Sequence, residues 1–471
     1  MSVRLHDTLT GALQPLEPLE TGHVRIYSCG PTVYGPSHVG NFRSFLFADV
    51  LVRYLRWRGL RVTWVMNLTD VDDKIIRAAA AQAIGIDALA APHIEGFAAD
   101  AAMLRMTTPD VLPRATAHIP QMVALVEALL ERGHAYRTDD GSIFFRIASW
   151  PSYGRLARLD PDAMRVGERV AADEYSKDDA RDFVLWKAAK PGEPSWETVL
   201  GSGRPGWHLE CSAMSMAYLG ETFDIHTGGV DLVFPHHEDE IAQSEAATGA
   251  PFVRMWIHCA HLQMGGRKMA KSEGNIARVS ELLATGLAPR ALRYALIAAH
   301  YRTGLSFSDE SVGAAAAAVA RLDAFVAALV SYRGECADAP DIPATIGGAR
   351  QAFIEAMDDD LGISSALGAV FELVREVNRR IAARSLSTAD AARALDALRD
   401  LDRVLGLLPD VGEPVLAADL AELLDRRAAA RGVRDWAASD RLRDELAARG
   451  IAVEDSRDGQ RWHRVGTSSG A

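Results

Sequence analysis

The chain has 471 residues, enough for roughly two to four domains with buried cores, and 48% of its residues are hydrophobic. Its net charge of −12 argues against nucleic-acid binding over the whole surface, because phosphate contacts need lysine and arginine. The chain has no run of about 18 apolar residues, which predicts no membrane-spanning helix, and its polar start carries no secretory signal. Four scattered cysteines exclude a disulfide framework and favour a reducing, cytoplasmic location.

The first half of the chain opens with the pattern of a nucleotide-binding fold. Residues 24–27 predict a buried strand, a glycine-rich loop ends at residue 41, apolar positions at helical spacing follow, and residues 62–66 predict a second strand. At the end of the loop stands His38-Val39-Gly40-Asn41. There the helix-start amides form an anion site, the imidazole can donate to a phosphate, and Gly40 admits an adenine. Asn41 can cap the helix or reach a ribose, and a loop histidine beside a helix cap is the plainer alternative.

The second strand ends in polar residues, Asn67 to Asp73, and Thr69 lies among them. Ligands bind at the carboxyl ends of strands in open α/β sheets. For Asp72 and Asp73 we prefer the alternative interpretation, a turn followed by a capped helix. From there to residue 136 the pattern is helical, residues 141–146 predict a strand, and residues 160–182 are charged and irregular. We interpret residues 108–206 as an insertion between two halves of one fold.

A metal site is indicated after the insertion. Strands are predicted at residues 223–226 and 255–259, and a helix begins near Pro235. His236 and Glu240 are four residues apart and share one helix face. Together with Cys29 and Cys211 they form a four-ligand set suited to zinc. Each cysteine taken alone is better explained as a small buried apolar residue, and His237, three residues from Glu240, is an alternative to His236.

The segment Lys268-Met269-Ala270-Lys271-Ser272 lies between glycines. Two lysines in a flexible loop could close over a triphosphate and stabilise the departing pyrophosphate, whereas a solvated loop is the alternative. Beyond residue 280 nearly everything is helical, which predicts a bundle with a short strand at residues 451–453. From Glu422 onward the chain has ten Lys/Arg and nine Asp/Glu, a balance that permits contact with RNA.

The two signatures HVGN and KMAKS, in this order, resemble those of class I aminoacyl-tRNA synthetases. Longer motifs resemble the cysteinyl-tRNA synthetase family and extend over nearly the whole chain, at residues 27–34, 67–74, 206–214, 234–238, 356–360 and 431–462. One departure is Ala270, where the family usually has serine; the lysines and Ser272 remain, so we expect loop closure to survive.

The resemblance implies an α/β fold: a Rossmann-like class I synthetase catalytic domain with an inserted connective segment, an all-α helical bundle and a small C-terminal anticodon-binding segment. The implied divisions are residues 1–107 and 207–306 for the two catalytic halves, 108–206 for the insertion, 307–416 for the bundle and 417–471 for the anticodon-binding segment.

The resemblance also assigns residues. It implies zinc ligands at Cys29, Cys211, His236 and Glu240, which decides between His236 and His237, and an ATP lysine at Lys271. The expected catalytic residues are His38, Lys268 and Lys271. ATP is expected to contact these three together with Gly40, Asn41 and Ser272. For cysteine we predict contacts with Trp207, His226, Thr69 and Asp231, and for the anticodon with Arg431, Asp440 and Asp455.

The expected reaction is activation of L-cysteine by ATP with Mg²⁺, followed by transfer to the 3′-terminal ribose of tRNA(Cys). One Zn²⁺ per chain would explain selectivity, because a thiol with a pKa near 8.5 becomes a thiolate on zinc, whereas the hydroxyl of serine is a poor ligand. Such a site needs no editing domain. Two alternative functions are weighed against this reaction. One is a cysteine ligase that acts on an amino sugar, which would need no anticodon module. The other is a non-catalytic synthetase-like RNA-binding protein, which would not need both signatures. We expect a monomer without membrane association.

Overall fold

The computed structural model describes residues 3–159, 182–264, 267–269, 276–409, 418–433, 435–449, 451–456 and 459–464. The chain divides into two units, the first formed by Met1–Leu282 with Ala288–Leu408 and the second by Leu283–Leu287 with Pro409–Ala471.

The elements up to residue 307 alternate between strands and helices. In chain order they are β1 Arg4–Asp7, β2 Ala12–Pro15, β3 His23–Ser28, α1 Val39–Trp57, β4 Arg61–Met66, α2 Asp73–Ala81, α3 Ile86–Met103, α4 Ile119–Glu131, β5 Ala135–Arg137, β6 Ile143–Phe145, β7 Phe183–Ala188, β8 Gly203–Pro205, α5 Trp207–Leu219, β9 Phe223–Gly229, α6 Glu238–Thr248, β10 Val253–Cys259, β11 Leu262–Met264, β12 Arg267–Lys268, α7 Val279–Ala284, α8 Pro289–Ile297 and β13 Leu305–Phe307.

The remaining elements are helical up to a terminal hairpin. They are α9 Asp309–Ser331, α10 Ile342–Asp358, α11 Ile363–Ala382, α12 Thr388–Leu405, α13 Ala418–Gly432, α14 Trp436–Ala448, β14 Ile451–Ser456 and β15 Gly459–Arg464.

A four-stranded parallel sheet with the strand order β10–β9–β3–β4 forms the centre of the first unit. Every residue of β3 except Arg25 is buried, as expected for a parallel strand that is covered on both faces. This sheet confirms the predicted α/β fold. The carboxyl ends of β3, β4 and β9 lie side by side, and they lead directly into Cys29, Asn67 and Val230.

The inserted region carries its own antiparallel sheet, with the strand order β5–β6–β7–β8. Asp73, in the first turn of α2, joins this sheet to the segment that follows β4. Its carboxylate lies 2.6 Å from Lys187 Nζ on β7 and 2.6 Å from Arg204 Nη2 on β8. The irregular segment predicted at residues 160–182 lies, apart from Asp182, outside the described residues.

A buried charge network joins α12 of the bundle to the helices α8 and α1. The fully buried Arg293 on α8 places Nη2 2.7 Å from Asp49 Oδ2 on α1 and donates through Nε to the carbonyl of Leu405 at the end of α12. Burial opposes ionisation of Asp49, but Arg293 and Arg53 outweigh it and hold its pKa below the usual value. Removing one partner of such a pair leaves an uncompensated buried charge, so the network fixes α1 against α8.

One helix differs from the sequence-based expectation of no membrane span. Among the described residues, α9 alone is a single helix with the length and apolarity of a span. Its composition is rich in alanine, and its buried positions, including Val319, Leu322 and Phe325, face a bundle in which α9 packs against α8 and α12. Packing within the bundle therefore buries part of this apolar stretch, 39% of its 18-residue window.

The second unit contains α13, α14 and the antiparallel hairpin β14–β15. Its small core consists of leucines from both helices and one strand residue: Leu420, Leu423, Leu424, Leu442, Leu446 and Ile451. The helix α14 begins at Trp436, where the side chain of Asp435 accepts the backbone N–H of Ala438 and caps the helix.

Candidate active site and metal centre

A cavity of about 550 Å³ opens at the carboxyl ends of the parallel strands. This is the position at which open α/β sheets bind ligands. Most of the residues predicted for substrate, nucleotide and metal line it: Cys29, His38, Gly40, Asn41, Thr69, Trp207, Cys211, Asp231 and His236. Residues from both halves of the fold therefore meet in one space.

Four potential metal ligands converge beside this cavity, and three of them, Cys29, Cys211 and His236, line it. The ligand atoms of Cys29, Cys211, His236 and Glu240 all lie within 4.8 Å of one another. The two sulfur atoms are 3.9 Å apart. Two thiolates that each lie about 2.3 Å from a tetrahedral ion would be about 3.8 Å apart, so the sulfur spacing fits zinc.

The fold brings these ligands together from four places. Cys29 follows β3, Cys211 lies on α5, and Glu240 lies in the first turn of α6. His236 precedes α6 in a π-helical turn, Val233–His237, so the helix predicted from Pro235 begins three residues later at Glu238. His236 Nε2 nevertheless lies 3.0 Å from Glu240 Oε1.

A second, overlapping set is formed by Cys29, His226, His237 and Glu240, whose ligand atoms also lie within 4.8 Å. Neither His226 nor His237 is among the residues that line the cavity. His237 Nδ1 contacts His258 Nε2 at 2.7 Å, and burial, with the neighbouring histidines, holds the pKa of His237 well below its usual value. The set with Cys211 and His236 therefore faces the space that a substrate can enter.

The electrostatics of the cluster favour negative charge on the ligands. Contact with the Cys29 thiol lowers the pKa of Cys211 to about 6, while burial raises the pKa of Cys29 well above its usual value. Burial opposes ionisation of Glu240, but His226 and His236 outweigh it and lower its pKa to about 2. Glu240 is fully buried. One thiolate and one buried carboxylate are anionic donors of the kind that a divalent cation requires.

Two further histidines support the cluster from outside. His226, predicted to line the cysteine pocket, is fully buried behind Glu240, with Nε2 3.0 Å from Oε2. His208, to which we assigned no role from the sequence, places Nδ1 2.9 Å from Nδ1 of His236. The only sequence signal for a role of His208 is its place next to Trp207 in the motif at residues 206–214.

Hydrogen bonds at the start of α1 determine which ring nitrogen of His38 carries the proton. Its Nδ1 accepts the backbone N–H of Asn41 at 3.2 Å, and the Asn41 side-chain oxygen accepts the His38 N–H at 3.1 Å. Because Nδ1 accepts, the proton of a neutral ring lies on Nε2, which leaves that N–H as a donor. The structure thus gives Asn41 the capping role that the sequence left open.

Close contact with the His38 ring favours glycine at residue 40, because there is little room for a side chain. A Cβ atom at residue 40 would lie 2.9 Å from His38 Nδ1 and 3.6 Å from the sulfur of Met269. Met269 belongs to the second signature, KMAKS. The described start of that signature therefore lies beside the first signature, HVGN. Ala270, Lys271 and Ser272 lie outside the described residues, and for Lys268 only the backbone, in β12, is described.

The entrance of the cavity carries aromatic and charged side chains. Trp207 is 37% exposed and stacks on His236 with ring centroids 4.1 Å apart. Asp231 Oδ1 lies 3.9 Å from His261 Nδ1. Three lining residues that we did not single out from the sequence are Tyr34, Lys74 and His261.

In the second unit, the predicted anticodon residues differ in their surroundings. The Arg431 guanidinium lies 5.4 Å from the ring centroid of Trp436, which is 55% exposed. Asp440 forms an ion pair with Arg443 at 3.3 Å. Asp455 is in β14, and its side chain lies outside the described part of the chain. Trp436 was missed, although an aromatic residue between arginines is a usual signal of base stacking.

Comparison with known proteins gives matches over almost the whole chain. The family model for the tRNA synthetases class I (C) catalytic domain matches residues 15–317, the DALR domain model residues 352–409, and the model of the cysteinyl-tRNA ligase anticodon binding domain residues 413–462. A cysteine–tRNA ligase from Halorhodospira halophila is 46% identical, with 98% of this chain and 100% of the relative covered. One from Symbiobacterium thermophilum is 44% identical, with 99% and 100% covered.

Among solved structures, the methionyl-tRNA synthetase of Mycobacterium tuberculosis in complex with methionyl-adenylate is similar in fold. The TM-score is 0.59 at 18% identity, with 88% of this chain and 96% of that chain covered.

Proposed function

The chain belongs to the class I cysteine–tRNA ligase family, and from this premise we propose how its cavity selects cysteine, binds ATP and meets tRNA. Its reaction joins cysteine to tRNA at the expense of ATP. The match to an anticodon binding domain at residues 413–462 argues against the amino-sugar ligase, which needs no such module.

The central proposal is that Cys29, Cys211, His236 and Glu240 hold one Zn²⁺. The observation that carries it is the convergence of their four ligand atoms within 4.8 Å at the cavity wall. When bound, zinc would offer the substrate a ligand position that takes a thiolate far better than a hydroxyl. Cysteine would thereby be separated from serine, which has nearly the same shape, at the binding step.

Elemental analysis tests this proposal. Purified protein is expected to hold one zinc per chain, and Cys211→Ala is expected to lose it, because a ligand is removed from the set. Cys259→Ala is the matched control, since Cys259 is buried in β10 and is not part of either ligand cluster. Absence of zinc from the wild-type protein, or equal zinc in the Cys211 and Cys259 variants, would refute the assignment.

The amino acid would lie between the metal ligands and the entrance. Trp207 stacks on His236 and closes one side of the site. The carboxylate of Asp231 is suited to the substrate ammonium, and Thr69, three residues beyond β4, lines the same cavity. We propose that His226 acts indirectly, by holding Glu240.

ATP would occupy the part of the cavity at the start of α1. The Nε2–H of His38 would donate to a phosphate, and the small Gly40 leaves room for the nucleotide. Lys268, Lys271 and Ser272 would close on the triphosphate with Mg²⁺. The protein would contribute positioning and electrostatic stabilisation rather than proton transfer.

We propose that tRNA(Cys) is read by the C-terminal segment, residues 417–471, while residues 1–107 and 207–306 form the catalytic domain, 108–206 the insertion and 307–416 the bundle. Arg431, Asp440 and Asp455 are the proposed base contacts, with Trp436 as a stacking surface. We propose that the protein is a cytoplasmic monomer; its four cysteines are free, which suits a reducing compartment.

A further inference from the structure

A short segment of the inserted region packs against the helix that carries Glu240. This segment, residues 153–157, is called the strap; it follows β6 in sequence and contacts α6 through three acidic side chains of that helix. Tyr153 and Leu156 are buried in the same hydrophobic core as Cys29, Cys211 and Ile241. The strap therefore belongs to the insertion in sequence and to the wall of the metal site in space.

Three of these contacts are made by Glu238, which is fully buried. One of its carboxylate oxygens accepts the backbone N–H of Gly154 at 2.7 Å. The other accepts those of Leu156 and Ala157 at 2.9 and 3.0 Å. Three backbone donors on one carboxylate fix both the strap and the first turn of α6, because charge-assisted hydrogen bonds are short and directional.

The next residue of α6 connects the strap with a metal ligand. The Tyr153 hydroxyl donates to Asp239 Oδ1, and Asp239 Oδ2 lies 3.4 Å from His208 Nε2. Nδ1 of His208 in turn lies 2.9 Å from Nδ1 of His236. A continuous series of polar contacts therefore runs from the strap to the back of the His236 ring.

We propose that the strap is a positioning element of the metal site, which holds His236 and Glu240 in ligand geometry. This inference rests on the proposed zinc site. Residues that orient ligands from outside typically change metal affinity 10–100-fold when altered. The contacts just described are made to α6, whereas the proposed ATP site lies at the start of α1, so loss of the strap should affect zinc and cysteine but not ATP.

The test is the rate at which zinc leaves the full-length protein for a chromogenic chelator. Tyr153→Phe removes the hydroxyl that donates to Asp239 and is expected to release zinc about tenfold faster than wild type. The matched control is Tyr136→Phe, which removes a similar donation, from Tyr136 to Asp182 within the insertion sheet at 2.9 Å. This control is expected to release zinc at the wild-type rate.

A second measurement separates positioning from general loosening. In cysteine-dependent pyrophosphate exchange, Tyr153→Phe should raise the KM for cysteine severalfold, with the KM for ATP unchanged. Equal zinc release from wild type and Tyr153→Phe, or parallel changes in both KM values, would overturn the role of the strap while the zinc site stands. Wild-type protein without zinc would overturn both.

Discussion

Lys271→Ala will slow the formation of cysteinyl-adenylate about 10²–10³-fold and leave cysteine binding nearly unchanged. Removing one preorganised charge contact to a developing anion typically has an effect of this size. Met269, two residues earlier, is buried near Gly40, so the loop starts beside the proposed nucleotide site. The proposed zinc ligands lie elsewhere, directly after β3, on α5 and at the start of α6, which is why cysteine affinity should persist.

Cysteine-dependent pyrophosphate exchange measures this effect, and the KM for cysteine provides the internal comparison. Arg254→Ala removes an exposed cation from β10 and is the matched control. Exchange by Lys271→Ala at the wild-type rate would exclude the proposed role of Lys271.

Deletion of residues 417–471 is expected to abolish tRNA charging and to spare cysteine-dependent pyrophosphate exchange. The deleted part contains both helices and the hairpin of the second unit, which have their own small core. Base contacts and stacking contribute about 1–3 kcal/mol each, so losing two of them lowers tRNA affinity by roughly 30-fold to more than 10⁴-fold. The cavity and its metal ligands all belong to the first unit.

Charging of total tRNA with labelled cysteine is the measurement for this deletion. Trp436→Ala, a milder change, should weaken charging by about 5–150-fold, as expected for the loss of one stacked base. Normal charging by a truncated protein that still catalyses exchange would show that the second unit does not read tRNA.

Much of the fold could be predicted because its signals are local. The buried strands β3 and β4 are short apolar runs separated by a glycine-rich loop and one helix, and the parallel pairing follows from that order. Element ends were less certain. The pattern of apolar residues placed the start of α1 at Phe42, whereas reciprocal hydrogen bonds between His38 and Asn41 start it at Val39.

The candidate site depended on information that spacing alone does not contain. The spacing along one helix face allowed either His236 or His237 to bind a metal together with Glu240. Only the family resemblance favoured His236. In the structure the two rings differ in surroundings, since His236 lines the cavity and His237 contacts His258 behind it. The strap could not be anticipated, because backbone N–H groups that bind Glu238 leave no pattern in side chains.

The comparison of cysteine with serine tests the central claim most directly. The quantity to measure is kcat/KM for cysteine and for serine in pyrophosphate exchange, with wild type and with Cys29→Ser. If zinc held by Cys29, Cys211, His236 and Glu240 selects the thiolate, Cys29→Ser should lower the value for cysteine at least about 10²-fold and change the poor value for serine far less. Wild type should reject alanine about as firmly as serine. Parallel losses for cysteine and serine in Cys29→Ser would show that cavity shape, and not the metal, makes the selection.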